Sequence, residues 1–369
     1  MMYYENELKA LKKSGRYRQR IVVDTDLKDF ASNDYLGLAH KKELHKKTSQ
    51  KLEKLSSHSA KASLLVNGYH QIHKDFEDAL CEINNFEDAV VLGSGFSANI
   101  AMIEALCRKS DMLFMDELYH ASGVLATQLE HVNVVFFKHN DVEELKKLLI
   151  QHKDVKRKII AIEGIYSMDG DLCKKEIFDI ADEEDALLIV DEAHSSGVVG
   201  TNLMGVFDLY SIKPKPNHIK MGTLGKAYGG FGAYILASSH IIEYLLNRAK
   251  PIIYATALSL YDTLLANNSL NYIVQNKQRL AKEINARKSI VKKELDIDID
   301  GLIIPIVIDD NKKVLDIKDE LQNDGYAIGA IRQPTVPKAI LRVIARLGES
   351  EDDFKLLCKK ISAVVNKFG

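Results

Sequence analysis

The chain has 369 residues, more than one ordinary hydrophobic core supports and enough for two or three domains. Its 46% hydrophobic and 28% charged residues and formal net charge of −2 describe a soluble globular protein, with no electrostatic case for nucleic-acid or membrane binding. Four cysteines, Cys81, Cys107, Cys173 and Cys358, lie scattered without CxxC pairing, which points to a reducing compartment and away from zinc or any other metal. The sequence opens on Met1-Met2-Tyr3-Tyr4-Glu5 without an apolar h-region or an Arg-rich transit segment. No apolar run approaches membrane-spanning length, so a cytoplasmic location is expected.

In chain order, residues 3–14 read as a helix. A basic knot follows, Gly15-Arg16-Tyr17-Arg18-Gln19-Arg20, either a solvated turn or an anion site in which arginine offers its planar fork to a carboxylate. Ser32-Asn33-Asp34-Tyr35-Leu36-Gly37 is turn-like, and 41–55 is a charged helix. Residues 71–84 form an amphipathic helix with Ile72, Phe76, Leu80 and Ile83 on one face. Strands near 89–92, 111–115, 132–137, 158–163 and 186–190 alternate with helices near 96–107, 120–129, 141–152 and 174–184. Strands near 218–222 and 231–237 complete a mostly parallel sheet flanked by helices. Beyond 238, helices at 239–249 and 256–295 lead into strands at 302–308, 326–331 and 340–345 with helices at 313–323 and 351–366, a smaller C-terminal α+β domain. The expected division is an N-terminal arm over 1–40, a large domain over 41–240, and a helical connection with a small domain over 241–369.

Three stretches carry chemistry. Gly93-Ser94-Gly95-Phe96-Ser97-Ala98 follows a strand, opens a helix and fits G-x-G-x-x-A, with Asp116 closing the next strand. That context suits an NAD-dependent dehydrogenase, although backbone N–H groups at a helix start bind any phosphate. The buried strand Ala186–Val190 runs into Asp191-Glu192-Ala193-His194, placing a carboxylate where ligands sit in open α/β sheets; a helix cap is the plain alternative. Thr223-Leu224-Gly225-Lys226-Ala227-Tyr228-Gly229-Gly230 sets one lysine among small residues. Read alone it suits a surface loop as readily as a lysine able to form a Schiff base. A single pyridoxal 5'-phosphate (PLP) accounts for all three stretches, with Asp191 on the pyridine nitrogen and Lys226 on the aldehyde.

Taken in order over nearly the whole chain, Asn33–Leu38, Gly93–Asn99, His120-Ala121-Ser122, Glu163–Asp171, Asp191–His194, Gly225-Lys226, Tyr254-Ala255-Thr256 and Ala330–Pro337 resemble the α-oxoamine synthases, fold-type I PLP-dependent transferases. These condense an amino acid with an acyl thioester and lose CO2. The resemblance implies an acyltransferase in which Lys226 holds the cofactor and moves the α-proton, Asp191 pairs with the ring nitrogen, His194 bonds the ring's phenolic oxygen and His120 lies over the ring. Gly95, Phe96 and Thr223 would hold the phosphate and Ser167 would sit beside the ring oxygen. Thr256 would reach the phosphate of a neighbouring subunit in a homodimer. Asn33 and Arg342 would bind the amino acid's carboxylate, Thr335 would line the substrate pocket, and Arg16 or Arg18 would meet a distal carboxylate on the acyl chain. Taken singly, each of these polar residues also has an ordinary structural reading, as a cap, a turn residue or an ion-pair partner. Within the family the pattern is most like the biotin-pathway member that joins L-alanine to a pimeloyl thioester, carried by coenzyme A or an acyl-carrier protein. A glycine-using relative such as glycine C-acetyltransferase, a transaminase on the same fold and a non-catalytic PLP-binding module are the alternatives. One departure stands out: where many members have a glycine-rich run, this chain has His58-Ser59-Ala60-Lys61-Ala62-Ser63-Leu64-Leu65-Val66-Asn67-Gly68-Tyr69, which leaves the shape of the acyl pocket open.

Overall fold

A computed structural model describes residues 3–14, 16–129 and 132–368; Met1, Met2 and Gly15 of the basic knot lie outside the described residues. In chain order the strands are β1 (Lys28–Asp29), β2 (Asp88–Leu92), β3 (Met112–Asp116), β4 (Val134–Phe137), β5 (Lys158–Glu163), β6 (Leu187–Asp191), β7 (His218–Thr223), β8 (Ala233–Ala237), β9 (Ile303–Val307), β10 (Tyr326–Ala327), β11 (Gly329–Ile331) and β12 (Ile340–Ile344). The apolar runs of the first half assemble into a seven-stranded sheet of order β2-β8-β7-β6-β5-β3-β4. Neighbours pair in parallel from β4 to β7, and only β8 runs against both of its neighbours.

The strands are apolar on both faces because helices cover both. Along β5 and β6, Ile160, Ile162, Leu188 and Val190 enter one core, and Ile159, Ala161 and Ile189 enter the other. This two-sided burial fixes the register, which sets Glu163 opposite Asp191 and Asp191 opposite Met221. Chain order reverses between β3 and β5, so the carboxyl ends of β3, β5, β6 and β7 frame the crevice where ligands of open α/β sheets bind.

The C-terminal region forms an antiparallel sheet of order β11-β12-β9. The single strand expected at 326–331 is two: β10 pairs in parallel with β1, and β11 pairs with β12. Residues 28–36 are therefore built into this region. Arg346, fully buried, bonds Asp29 and Asp34 at 2.7 Å each, and Phe30 packs against Tyr326 and Phe354. The long helix starts at Leu260, not at 256, because the Ser259 hydroxyl caps it by accepting from the Asp262 N–H. No helix among the described residues is long and apolar enough to cross a membrane.

Candidate active site

Lys226 sits in the turn between β7 and β8. The turn is closed by Gly230 N–H to Leu224 O (2.8 Å) and Leu224 N–H to Gly232 O (2.9 Å). Gly229 has φ +63°, and a Cβ there would lie 2.4 Å from Ala39 N, so glycine is required. The Lys226 Nζ lies 2.7 Å from His194 Nε2. Burial lowers the amine to about 8, with Asp191 and Glu163 opposing the shift and Arg342 adding to it.

Asp191, at the end of β6, is almost wholly buried. Its Oδ1 accepts from Ala193 N–H (3.0 Å) and its Oδ2 from Asn99 Nδ2 (2.9 Å). Asn99 comes from the first turns of the helix Gly95–Leu106, is itself held by Tyr119 Oη (2.6 Å) and also donates to Ser122 Oγ (3.0 Å). His120 Nδ1 lies 2.7 Å from the same Ser122 hydroxyl. Burial lowers the affinity of both His120 and His194 for a proton. For His120, Asp191 opposes this and Lys226 adds to it; for His194, Lys226, Arg342 and His120 all add to it. Both imidazoles are thus held neutral.

These groups line a cavity of about 170 Å³, with Gly95, Phe96, Asn99, His120, Glu163, Asp191, His194, Met221, Thr223 and Lys226 in its wall. Gly95 opens the helix whose N-cap Ser94 accepts from Ser97 N–H, and a Cβ on Gly95 would stand 2.5 Å from Thr223 Cγ2. Two buried polar atoms in the wall, Thr223 Oγ1 and Glu163 Oε1, have no protein partner. Buried groups of this kind ordinarily have one, so the cavity is shaped for a polar ligand.

Arg342 lies alongside, with Nε on Ser167 O (2.8 Å) and Nη1 on Asn33 Oδ1 (3.0 Å). A groove of about 480 Å³ shares His120 with the cavity and is walled by Leu118, Leu125, Ser167, Met168, Thr335 and Val336. Thr335 in turn belongs to a hollow of about 340 Å³ lined by Arg16, Arg18 and Arg332. There Arg18 Nη2 donates to Thr335 Oγ1 at 3.2 Å. Of the expected site residues, Gly95, Phe96, His120, Asp191, His194, Thr223 and Lys226 line the cavity. Thr335 joins groove to hollow, Arg16 and Arg18 line the hollow, and Asn33 and Arg342 lie alongside without lining any of the three. Ser167 lines the groove and not the cavity. Thr256 is exposed on the outer surface, bridged to Ser63 of the divergent 58–69 segment.

The dinucleotide reading fails on Asp116. Its carboxylate accepts from Leu118 N–H and Asn140 N–H and contacts His139, so it is committed to its own loops. Sequence reading gave no role to Tyr35, Asn99 or Glu163. Asn99 carried one usable signal: four residues after Gly95, it returns to the face of the helix that fronts the cavity.

A lysine whose amine burial lowers to about 8, beside a neutral imidazole, a carboxylate fixed on both oxygens, an orphan hydroxyl beside a helix N-terminus and a crevice at the carboxyl edge of a parallel sheet fit PLP. Fold and site define a PLP-dependent transferase of fold type I. The aminotransferase class I and II family matches residues 25–361. The 8-amino-7-oxononanoate synthase of Helicobacter pylori is 43% identical over 359 residues, covering 97% of this chain and 96% of that one. A serine palmitoyltransferase structure from S. paucimobilis superposes with a TM-score of 0.90 at 22% identity over 99% and 98% of the two chains. The 8-amino-7-oxononanoate synthase structure from Francisella tularensis gives a TM-score of 0.76 at 27% identity over 93% and 99%. The chain belongs to the aminotransferase class I and II family and, within it, to the 8-amino-7-oxononanoate synthases. It is a PLP-dependent acyltransferase.

Proposed function

We propose that the chain condenses L-alanine with a pimeloyl thioester, releasing CO2 and the free thiol and giving 8-amino-7-oxononanoate for biotin synthesis. The observation that carries this reading is the path from Lys226 past His120 and Thr335 to Arg16 and Arg18. It offers an amino-acid site at one end and cations for a distal carboxylate at the other. When bound, PLP supplies an aldehyde for the substrate amine and a ring that takes up the electron pair left by the departing α-proton. Arg342 and Asn33 bind the alanine carboxylate. Lys226, partly unprotonated near neutral pH, takes the α-proton and returns one to the same carbon after CO2 leaves. Asp191, its carboxylate fixed by Asn99 and Ala193, is the group that would pair with the ring nitrogen and keep it protonated. Thr223 and the N–H groups at Gly95 and Phe96 would hold the phosphate.

The carrier of the acyl group is coenzyme A or an acyl-carrier protein, and the working form is a homodimer. Support for the dimer comes from exposed Thr256, bridged to Ser63 just ahead of Leu65 and Val66 and two residues after Tyr254, all three of which present apolar surface. Borohydride treatment of the yellow protein should fix the cofactor on Lys226, and alanine with pimeloyl thioester should yield CO2 and free thiol. An oxo acid in their place would mark transamination, and a preference for glycine with an acetyl thioester would overturn the substrate assignment.

A further inference from the structure

Behind His194 a run of hydrogen-bonding groups leads away from the cavity. His194 Nε2 lies 2.7 Å from Lys226 Nζ, and its Nδ1 lies 2.5 Å from Tyr35 Oη. The Tyr35 hydroxyl is 3.4 Å from Asn33 Oδ1, which already accepts from Arg342 at 3.0 Å. Tyr35 is fully buried. A neutral imidazole carries one proton, and its other nitrogen accepts. The phenol has one proton to give, and 3.4 Å is beyond the usual range for O–H···O, so it goes to Nδ1. The imidazole proton is then on Nε2, pointing at Lys226.

We infer that Tyr35 is a positioning residue that locks His194 in the Nε2–H tautomer, so that the imidazole meets the cavity as a donor. The free amine of Lys226 accepts that proton through its lone pair, whereas an ammonium would set N–H against N–H. The lock therefore favours the unprotonated amine, the form able to take a proton from substrate. It works beside the other groups facing Lys226. Asp191 and Glu163, at the ends of β6 and β5, favour the ammonium; Arg342 of β12 and His120, ahead of the helix Ala121–Leu129, disfavour it. Arg342 and His120 also face His194 and disfavour its protonation. The opposite tautomer would need Tyr35 to turn to the long Asn33 contact or to ionise, and burial pushes its hydroxyl up to about 12.

The lock's purpose rests on the proposed reaction, but its test is made on protein freed of cofactor. Apo protein labelled with ¹⁵N in its imidazoles, with the His194 signals located by comparison with His194→Asn, should give a neutral Nε2–H pattern for His194 at a pH above the Lys226 value of about 8, where the amine is free. A Nδ1–H pattern in the unmodified protein overturns the inference without any variant having to fold. Tyr35→Phe keeps the ring and removes the hydroxyl, so His194 should lose the single-tautomer pattern. The acylation midpoint of Lys226 in the apo variant, read by peptide mass spectrometry across pH, should rise by about one pH unit. A folded Tyr35→Phe protein with tautomer and midpoint both unchanged also overturns the lock. Neither result bears on the condensation itself, which product analysis tests separately.

Discussion

At the scale of single residues, Thr223 gives a test in which two effects have opposite signs. A buried hydroxyl without a partner costs about 1–3 kcal/mol, and Thr223 Oγ1 is such a group. Valine has the same shape without the hydroxyl. Apo Thr223→Val should therefore melt higher than the apo parent, while PLP binds roughly 10- to 100-fold more weakly through loss of a hydrogen bond to a charged phosphate. Thermal scans of both apo proteins and PLP titrations check this; lower apo stability with unchanged PLP affinity would assign the hydroxyl to the fold. Arg16 and Arg18 give a test of substrate recognition. A carboxylate at the end of an acyl chain is costly to bury unpaired. The double variant Arg16→Ala, Arg18→Ala should raise KM for pimeloyl thioester by roughly 10- to 100-fold, with kcat and the melting temperature nearly unchanged, since both side chains are exposed. A donor lacking the distal carboxylate should respond far less. Unaltered kinetics with pimeloyl thioester would reduce the basic knot to a solvated turn.

At the scale of elements, the crevice depends on the loops after β3, β4 and β5 being held together, and His139 does this. Its Nδ1 lies 3.2 Å from Asp116 at the end of β3, and its Nε2 lies 2.8 Å from Asp171 in the loop that carries Ser167 and Asp169. Burial alone would lower its affinity for a proton, but hydrogen bonds to Asp116 and Asp171 outweigh it and raise His139 to about 10. The folded value lies above the ordinary histidine value of about 6.5. The clip is thus fully stabilising below that value and is lost as pH rises toward 10, because the native state then holds the extra proton. Unfolding free energy should fall between about pH 6.5 and 10, and His139→Gln should flatten that slope; denaturant melts at a series of pH values measure it. A slope that survives in the variant would place the titration elsewhere. None of this clip was visible in sequence, although the strands it ties were, because two-sided burial makes β3, β5 and β6 continuous apolar runs. The same logic divided the site. Lys226, Asp191 and His194 stand in compact local motifs, whereas Tyr35 meets His194 across 159 residues and Asn99 meets Asp191 across 92. Local pattern also missed β1, two residues long, and joined β10 to β11, since which sheet a strand enters is decided by its partner.

At the scale of the whole molecule, the surface argues for a second copy of the chain. Single exposed apolar residues are ordinary, but here they gather on paired segments. The turn at 64–68 leaves Leu65 and Val66 at 53% and 77% exposure, and Ser63 just ahead of it bridges to Thr256, two residues from Tyr254 at 78%. Phe96, on the rim of the cavity, is half exposed. A two-fold interface would cover such a face on both copies at once and is the commonest closed symmetry. If Thr256 then serves the partner's phosphate, each cavity needs Lys226 from one chain and Thr256 from the other. Thr256→Ala alone should sediment as a dimer and retain PLP more weakly, and Lys226→Ala alone should give no borohydride-fixed cofactor. Mixing the two variants under conditions that exchange subunits separates the possibilities. In the heterodimer, one cavity carries both lesions and the other carries neither, so parent-strength PLP retention and turnover should reappear at one site per heterodimer. If Thr256 acted within its own chain, every cavity of the mixture would keep one lesion and no parent-like site would form. An active monomer in sedimentation would end the shared-site argument outright.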